Sequence, residues 1–167
     1  MGRCKRAYCD CGLFRHRDSG SKVVVLNVHL DDQGVVARRE AARLLRNRIA
    51  EWMWKDDERE KGSVLLAGDL NSEGSGDAYE VLTAGPSRWL MDAAQLGWPE
   101  ETYGEKLTFT GFEGKQTEKK KLDYVFVGPW PENHCWEVRG YAVLPNRFED
   151  GVYHSDHRAV VADVLLR

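Results

Sequence analysis

The sequence predicts an α/β domain, and three observations carry that prediction. Lys22–Leu30 and Ser63–Ala67 hold continuous apolar runs of strand length, Val23-Val24-Val25-Leu26 and Val64-Leu65-Leu66-Ala67. Such runs mark strands covered on both faces. A long segment with helical periodicity lies between them, and three more strand-like runs follow.

Taken in order, Lys22–Leu30 is the first clear strand, broken by Asp31-Asp32-Gln33-Gly34. Val35–Trp54 reads as a helix, because Ala41, Leu44, Leu45, Ile49, Trp52 and Met53 keep the spacing of one buried stripe, with Arg and Glu opposite. Lys55–Lys61 is a charged loop. Ser63–Ala67 is a second apolar strand ending at the Gly68-Asp69 turn, and short helices are expected near Asp77–Thr83 and Arg88–Leu96. Leu122–Val127, Glu137–Leu144 and Arg158–Leu166 complete the strands. Residues 1–20 read as a poorly defined leader and 21–167 as the domain. At least three strands are apolar on both faces, while one long helix and two short ones cover a single side. Either a partner covers the other side, or the chain is part of a larger fold.

At 167 residues and 42% hydrophobic content, the chain suffices for one domain with a sizeable core. Its formal net charge of −3 argues against a generally sticky nucleic-acid binder. A nucleic-acid enzyme stays open, since a bound divalent cation supplies positive charge at the site itself. No apolar stretch approaches the length of a membrane-spanning helix. The basic first twenty residues lack the apolar core of a signal peptide, so a cytoplasmic location is the default expectation. Cys4, Cys9 and Cys11 cluster near His16, but their spacing is not that of a usual zinc site, and reduced thiols are the preferred reading.

Four polar motifs sit at or just beyond the ends of apolar runs: Asn27-Val28-His29-Leu30-Asp31, Gly68-Asp69-Leu70-Asn71, Leu122-Asp123-Tyr124 and Ser155-Asp156-His157. Asp69 and Asn71 flank Leu70, so in an extended segment both face one side. An acid and an amide so placed orient a water and donate to a phosphate oxygen; the plainer alternative is a polar turn capping the strand. Asn27 and His29 repeat that spacing at the carboxyl rim, where ligands gather on such sheets. Asp156 is a natural ligand for a hard cation such as Mg²⁺. Asp123, in an apolar strand, needs a partner, and a histidine held by an acid is a common orienting pair.

With these motifs, together with Thr108-Phe109-Thr110-Gly111-Phe112 and Leu122–Val127, the chain resembles the endonuclease/exonuclease/phosphatase (DNase I-like) family over roughly residues 20–167. The resemblance implies a DNase I-like four-layer α/β sandwich, represented here mainly by its C-terminal half with a mixed, largely antiparallel sheet. It also implies a Mg²⁺-dependent phosphoesterase, with Mn²⁺ as an alternative ion, hydrolysing a phosphodiester or phosphomonoester by in-line attack of water. Asp69 would position or deprotonate that water, Asn71 would bind the phosphate, and His29 would contact it. His157, held by Asp123, would stabilise the transition-state oxygens, and Asp156 would help hold the metal. Asn27 and Phe109 are further substrate-binding candidates.

The family's first half normally supplies an asparagine and a principal metal-binding glutamate, and nothing before Lys22 matches it. Leu13–Arg17 would be the remnant of an edge strand. The expectation is therefore a chain lacking its N-terminal half, with weak Mg²⁺ binding, and the alternative is a catalytically silent fragment or binding module. Short loops and slight acidity favour a small or lipid-derived phosphoester over long duplex DNA. Lys119-Lys120-Lys121 either steers an anion or forms a solvated hairpin tip, and Arg38 and Arg39 are candidates to approach phosphate.

Overall fold

The computed structural model describes residues 7–54, 62–84, 90–112, 120–128 and 136–167. Among these residues, eight strands and two α-helices follow in chain order: β1 (Tyr8–Arg15), β2 (Lys22–His29), α1 (Val35–Trp54), β3 (Ser63–Asp69), α2 (Asp77–Thr83), β4 (Met91–Asp92), β5 (Thr102–Gly104), β6 (Asp123–Gly128), β7 (Trp136–Val143) and β8 (Val160–Leu166). They form two mixed sheets, one ordered β1-β2-β3-β6-β4 and one ordered β5-β7-β8. β2 and β3 run parallel, and α1 makes the crossover that a parallel pair requires.

Side chains alternate across the larger sheet. Val24, Leu26, Val28, Val64, Leu66, Tyr124 and Phe126 share one face and are almost fully buried against Ala42, Leu45 and Ile49 of α1 and Ala78, Tyr79 and Leu82 of α2. On the opposite face, Leu65, Val125 and Val127 meet Val138, Tyr141 and Val143 of the second sheet. The two strands expected from Glu137–Leu144 and Arg158–Leu166 therefore belong to a separate layer, which supplies part of the cover the sequence left unaccounted for. That cover stops at β3. Val23 and Val25 of β2 are only half-buried, and Phe14, opposite Val23, is 56% exposed. Phe126 packs at the centre of the main core, fully buried. Phe126→Ala should cost about 3–5 kcal/mol, seen as a lower urea midpoint with an unchanged slope.

Three expectations need correction. The strand expected at Leu13–Arg17 is longer: β1 pairs with β2 over eight residues, Tyr8↔His29 through Arg15↔Lys22, so part of the expected leader is sheet. A mix of Cys, Gly, Arg and Asp conceals its alternation. The α1 stripe runs through Ala42, Leu45, Ile49 and Trp52, whereas Leu44 is 59% exposed, one step of about 100° off that stripe. The helix expected at Arg88–Leu96 is instead β4 followed by a 3-10 turn, Ala93–Gln95. Met91 and Asp92 pair with Val127 and Phe126, and the Asp92 carboxylate accepts from Ala94 N at 3.0 Å, capping the turn. The charged loop at 55–61 lies outside the described residues. Among the described residues, no helix is long and apolar enough to cross a membrane.

Candidate active site

The pairing register builds the site. Tyr8, His29, Asp69 and Asp123 are successive partners across β1, β2, β3 and β6, so one row at the sheet's rim delivers all four side chains to one face. This is the face on which the second sheet lies. Two residues inward the row is Asp10, Asn27, Ala67 and Val125, which places Asn27, exposed, behind His29 on the same side.

His157 reaches the row from the segment before β8. Phe109 bridges both Lys120 and His157, Thr110 and Gly111 donate to the Asp156 carbonyl, and Arg158 N donates to Thr108 O at 2.7 Å. His157 Nδ1 lies 2.8 Å from Asp123 Oδ2, and its Nε2 is 3.9 Å from Asp69 Oδ2. His29 Nε2 approaches the same Asp69 oxygen at 3.7 Å. Asp123 accepts from Nδ1–H, which leaves Nε2 directed toward Asp69. The Ser155 hydroxyl accepts from His157 N at 3.0 Å, fixing the approach of the imidazole.

Electrostatics set opposite demands on these groups. Burial pushes the Asp69 carboxyl above the usual carboxylate range and Asp123 adds to the rise, while the Asn71 N–H and the two histidines oppose it. The hydrogen bond to Asp123 raises His157 above the ordinary histidine value, against the cost of burial. Asp69 is thus a carboxylate in a poorly solvated position, and His157 an imidazole held ready for protonation.

Asn71 adopts φ 48°, a left-handed conformation that asparagine tolerates. Its N–H donates to Asp69 Oδ1 at 2.7 Å, and its side-chain amide donates to Leu30 O at 2.9 Å, tying the Gly68–Asn71 turn to the Asn27–Asp31 turn. Gly68 makes the turn possible. At φ +140° a Cβ would sit 1.9 Å from the Val28 carbonyl oxygen, so the close approach of β2 to β3 admits only glycine. Asp31 closes its own turn by accepting from Gln33 N and Gly34 N, which keeps its carboxyl below the ordinary range. Arg38 donates to the Asp31 carbonyl and to Asp77, both at 3.1 Å, so it braces α1 against α2.

Of the residues expected from sequence, the structure brings together His29, Asp69, Asn71, Asp123 and His157. The Phe109 ring lies 4.9 Å from the His157 ring and half-buried, so it also walls the imidazole. Among the described residues, ligand atoms of Asp69, Asp123 and His157 lie within 4.8 Å of one another, a group able to hold a metal ion. Asp156 stands outside that trio, half-buried beside it. Lys121 does not project into solvent: its Nζ is 2.8 Å from Asp92 and over the Tyr124 ring, while Lys119 lies outside the described residues.

Two residues of the site have no role assigned from the sequence, although Thr108 opens the Thr108–Phe112 motif. Tyr8 stacks on His29 with ring centroids 5.6 Å apart. Thr108 is fully buried, and its hydroxyl accepts from Leu122 N and Asp123 N at 2.9 and 3.1 Å. It thereby anchors the start of β6, while its carbonyl holds Arg158 beside His157. Thr108→Val would orphan two buried N–H groups, costing about 1–3 kcal/mol each before relaxation. Thermal unfolding should show a clear drop for Thr108→Val and little for Thr108→Ser.

No protein-family model matches the chain, and no curated protein sequence does. Solved structures do match. An endonuclease/exonuclease/phosphatase family protein from Bacteroides thetaiotaomicron is 23% identical, with TM-score 0.77, over 96% of this chain and 55% of its own. A mannosyl-6-phosphatase from the same species is 23% identical, TM-score 0.75, over 95% and 57%. D. rerio TDP2 complexed with single strand DNA product is 20% identical, TM-score 0.67, over 95% and 61%. The mixed α/β architecture is therefore the DNase I-like fold that these endonuclease/exonuclease/phosphatase structures share. The chain spans little more than half the length of the structures it matches.

Proposed function

We propose that this chain carries a phosphoester-hydrolysing site in which Asp69 orients and deprotonates an attacking water and His157, held by Asp123, stabilises the oxygens of the transition state. The observation that carries this reading is the chain of contacts Asp123–His157–Asp69, 2.8 and 3.9 Å, in which His157 reaches across two paired residues of one sheet row. A desolvated carboxylate is a stronger base than a hydrated one, and an imidazole tied to a carboxylate is easier to keep protonated. Asn71, locked by its bond to Leu30 O, presents its remaining amide hydrogen toward phosphate, and His29 contacts the same anion. Asn27 and Phe109 line the approach. The neighbours named as a phosphatase and as a DNA-product complex support a phosphoester substrate and leave its class to this chain's own residues.

The donor set fits a divalent cation. Asp69 and Asp123 are hard oxygen donors whose ligand atoms converge with His157, Asp156 adjoins His157 in the chain, and Mg²⁺ takes one or two carboxylates plus substrate phosphate and water. Asp123 and His157 are already bonded to each other, so Asp156 is the residue assigned to hold the ion, with Mn²⁺ as an alternative. When bound, it neutralises phosphate charge and polarises the phosphoryl oxygens. A second reading, a silent phosphoester-binding module, is favoured by the same economy: in the trio whose ligand atoms converge, two members are spent on one hydrogen bond.

Hydrolysis of bis-(p-nitrophenyl) phosphate separates the two. The first reading expects slow turnover that EDTA abolishes and added Mg²⁺ restores. It is contradicted by turnover indifferent to EDTA. Phosphate binding at Asn71 and His157 with no turnover at any Mg²⁺ concentration establishes the silent reading.

A further inference from the structure

A cavity of about 620 Å³ opens beside Asn71, between the first turns of α1 and the segment that runs from Asn71 to Glu80. That volume lies within the usual range of small-molecule sites. Arg38 and Asp77 are part of its wall, but they are bonded to each other with side chains about nine-tenths buried, so they give it a fixed frame. Most of the described groups left to meet a ligand are polar, Asn71, Gln33, Arg39, Asp32, Glu73 and Glu80 among them, with Val35 and Leu122 beside them. Arg39 is exposed and makes no ion pair among the described residues.

Three properties decide what such a cavity suits. Among the described residues no aromatic side chain lines it, so a nucleobase finds no ring there to stack on. Among its described lining residues, the carboxylates Asp32, Glu73 and Glu80 outnumber the cations Arg39 and Lys120 once the Arg38–Asp77 pair is set aside, which disfavours a chain carrying further phosphates. Its amides, carboxylates and guanidinium together offer both donors and acceptors, the complement of hydroxyl groups that both give and take a hydrogen bond. We propose that this cavity receives the alcohol portion of the substrate, and that this portion is a neutral polyhydroxylated group, a sugar, joined through its phosphate to Asn71.

The inference rests on the phosphoester reading above, and a binding experiment keeps the two apart. Glucose 6-phosphate, inorganic phosphate and adenosine 5′-monophosphate are titrated in turn, with Mg²⁺, into ¹⁵N-labelled protein. Glucose 6-phosphate should bind at least about tenfold more tightly than inorganic phosphate, shifting signals of Gln33 and Arg39 as well as Asn71. Arg39→Ala and Glu73→Gln should each weaken glucose 6-phosphate more than inorganic phosphate. If glucose 6-phosphate binds no better than inorganic phosphate, or adenosine 5′-monophosphate equals or exceeds it, the sugar subsite is overturned while the phosphate site stands. If neither glucose 6-phosphate nor inorganic phosphate binds, the phosphoester reading fails and takes this one with it.

Discussion

Asp123→Asn is expected to lower kcat for bis-(p-nitrophenyl) phosphate by about 10²–10⁴-fold while leaving the fold intact. The substitution keeps the size of the side chain but removes the charge that His157 Nδ1 faces at 2.8 Å. An amide nitrogen turned toward the ring would favour the opposite tautomer, and the imidazolium would lose its partner. The pH profile should change with it. In the wild type, activity should rise as Asp69 ionises, at a pH above the usual carboxylate range because of burial, and fall as His157 loses its proton, above the ordinary histidine value. Removing the Asp123 carboxylate removes the principal cause of the His157 shift, so the falling limb should move to lower pH. An unmoved limb would show that another group titrates there. The same pairing affects stability: a raised histidine stabilises the fold fully below its unfolded value, and that contribution is lost as pH rises through the folded one.

The second large effect is structural. Gly68→Ala should leave little folded protein at 37 °C, because the added Cβ would overlap the Val28 carbonyl oxygen in a backbone conformation that L side chains rarely adopt. Relief requires β2 and β3 to separate at the rim, which would break the His29↔Asp69 register and the Leu30 N–H bond to Asp69 O, 2.9 Å long. Circular dichroism and a urea titration test this. A variant with near-native stability would mean the two strands yield more easily than their packing implies.

Much of the site was legible because its residues stand where apolar periodicity stops. His29, Asp69 and Asp123 each occupy a strand end, and the sheet register turns those ends into one row. That Asp123 needs a partner follows from an acid in an apolar strand, and the family resemblance names His157 as that partner. What was not legible depends on contacts distant in sequence. Thr108 serves Asp123 across fifteen positions through its hydroxyl, and the Thr108–Phe112 motif that contains it does not announce that bond. Tyr8 lies in a strand whose pairing with β2 hides behind cysteines, glycine and charges. Lys121 looked like part of a solvated basic run until Asp92 was found beneath it. The helix read at Arg88–Leu96 failed because backbone pairing to β6 outweighed a local preference. The second sheet escaped because a period-2 pattern reveals a strand without saying which sheet it joins.

The part of β1 and β2 beyond the second sheet keeps Val23, Val25 and Phe14 partly or largely accessible on the face that carries the site. The site therefore sits at the margin of a covered region, and Asp69, at 9% exposure, owes its desolvation to the site's own neighbours, His29 and His157 among them.

The most direct measurement is steady-state hydrolysis of bis-(p-nitrophenyl) phosphate with Mg²⁺ by the wild type and by His157→Ala, purified in parallel and matched for folding by circular dichroism. A fall of about 10²-fold or more in kcat/KM for His157→Ala is the expected result. Equal turnover by the two proteins would contradict the assignment of Asp69, Asp123 and His157 as the reacting centre.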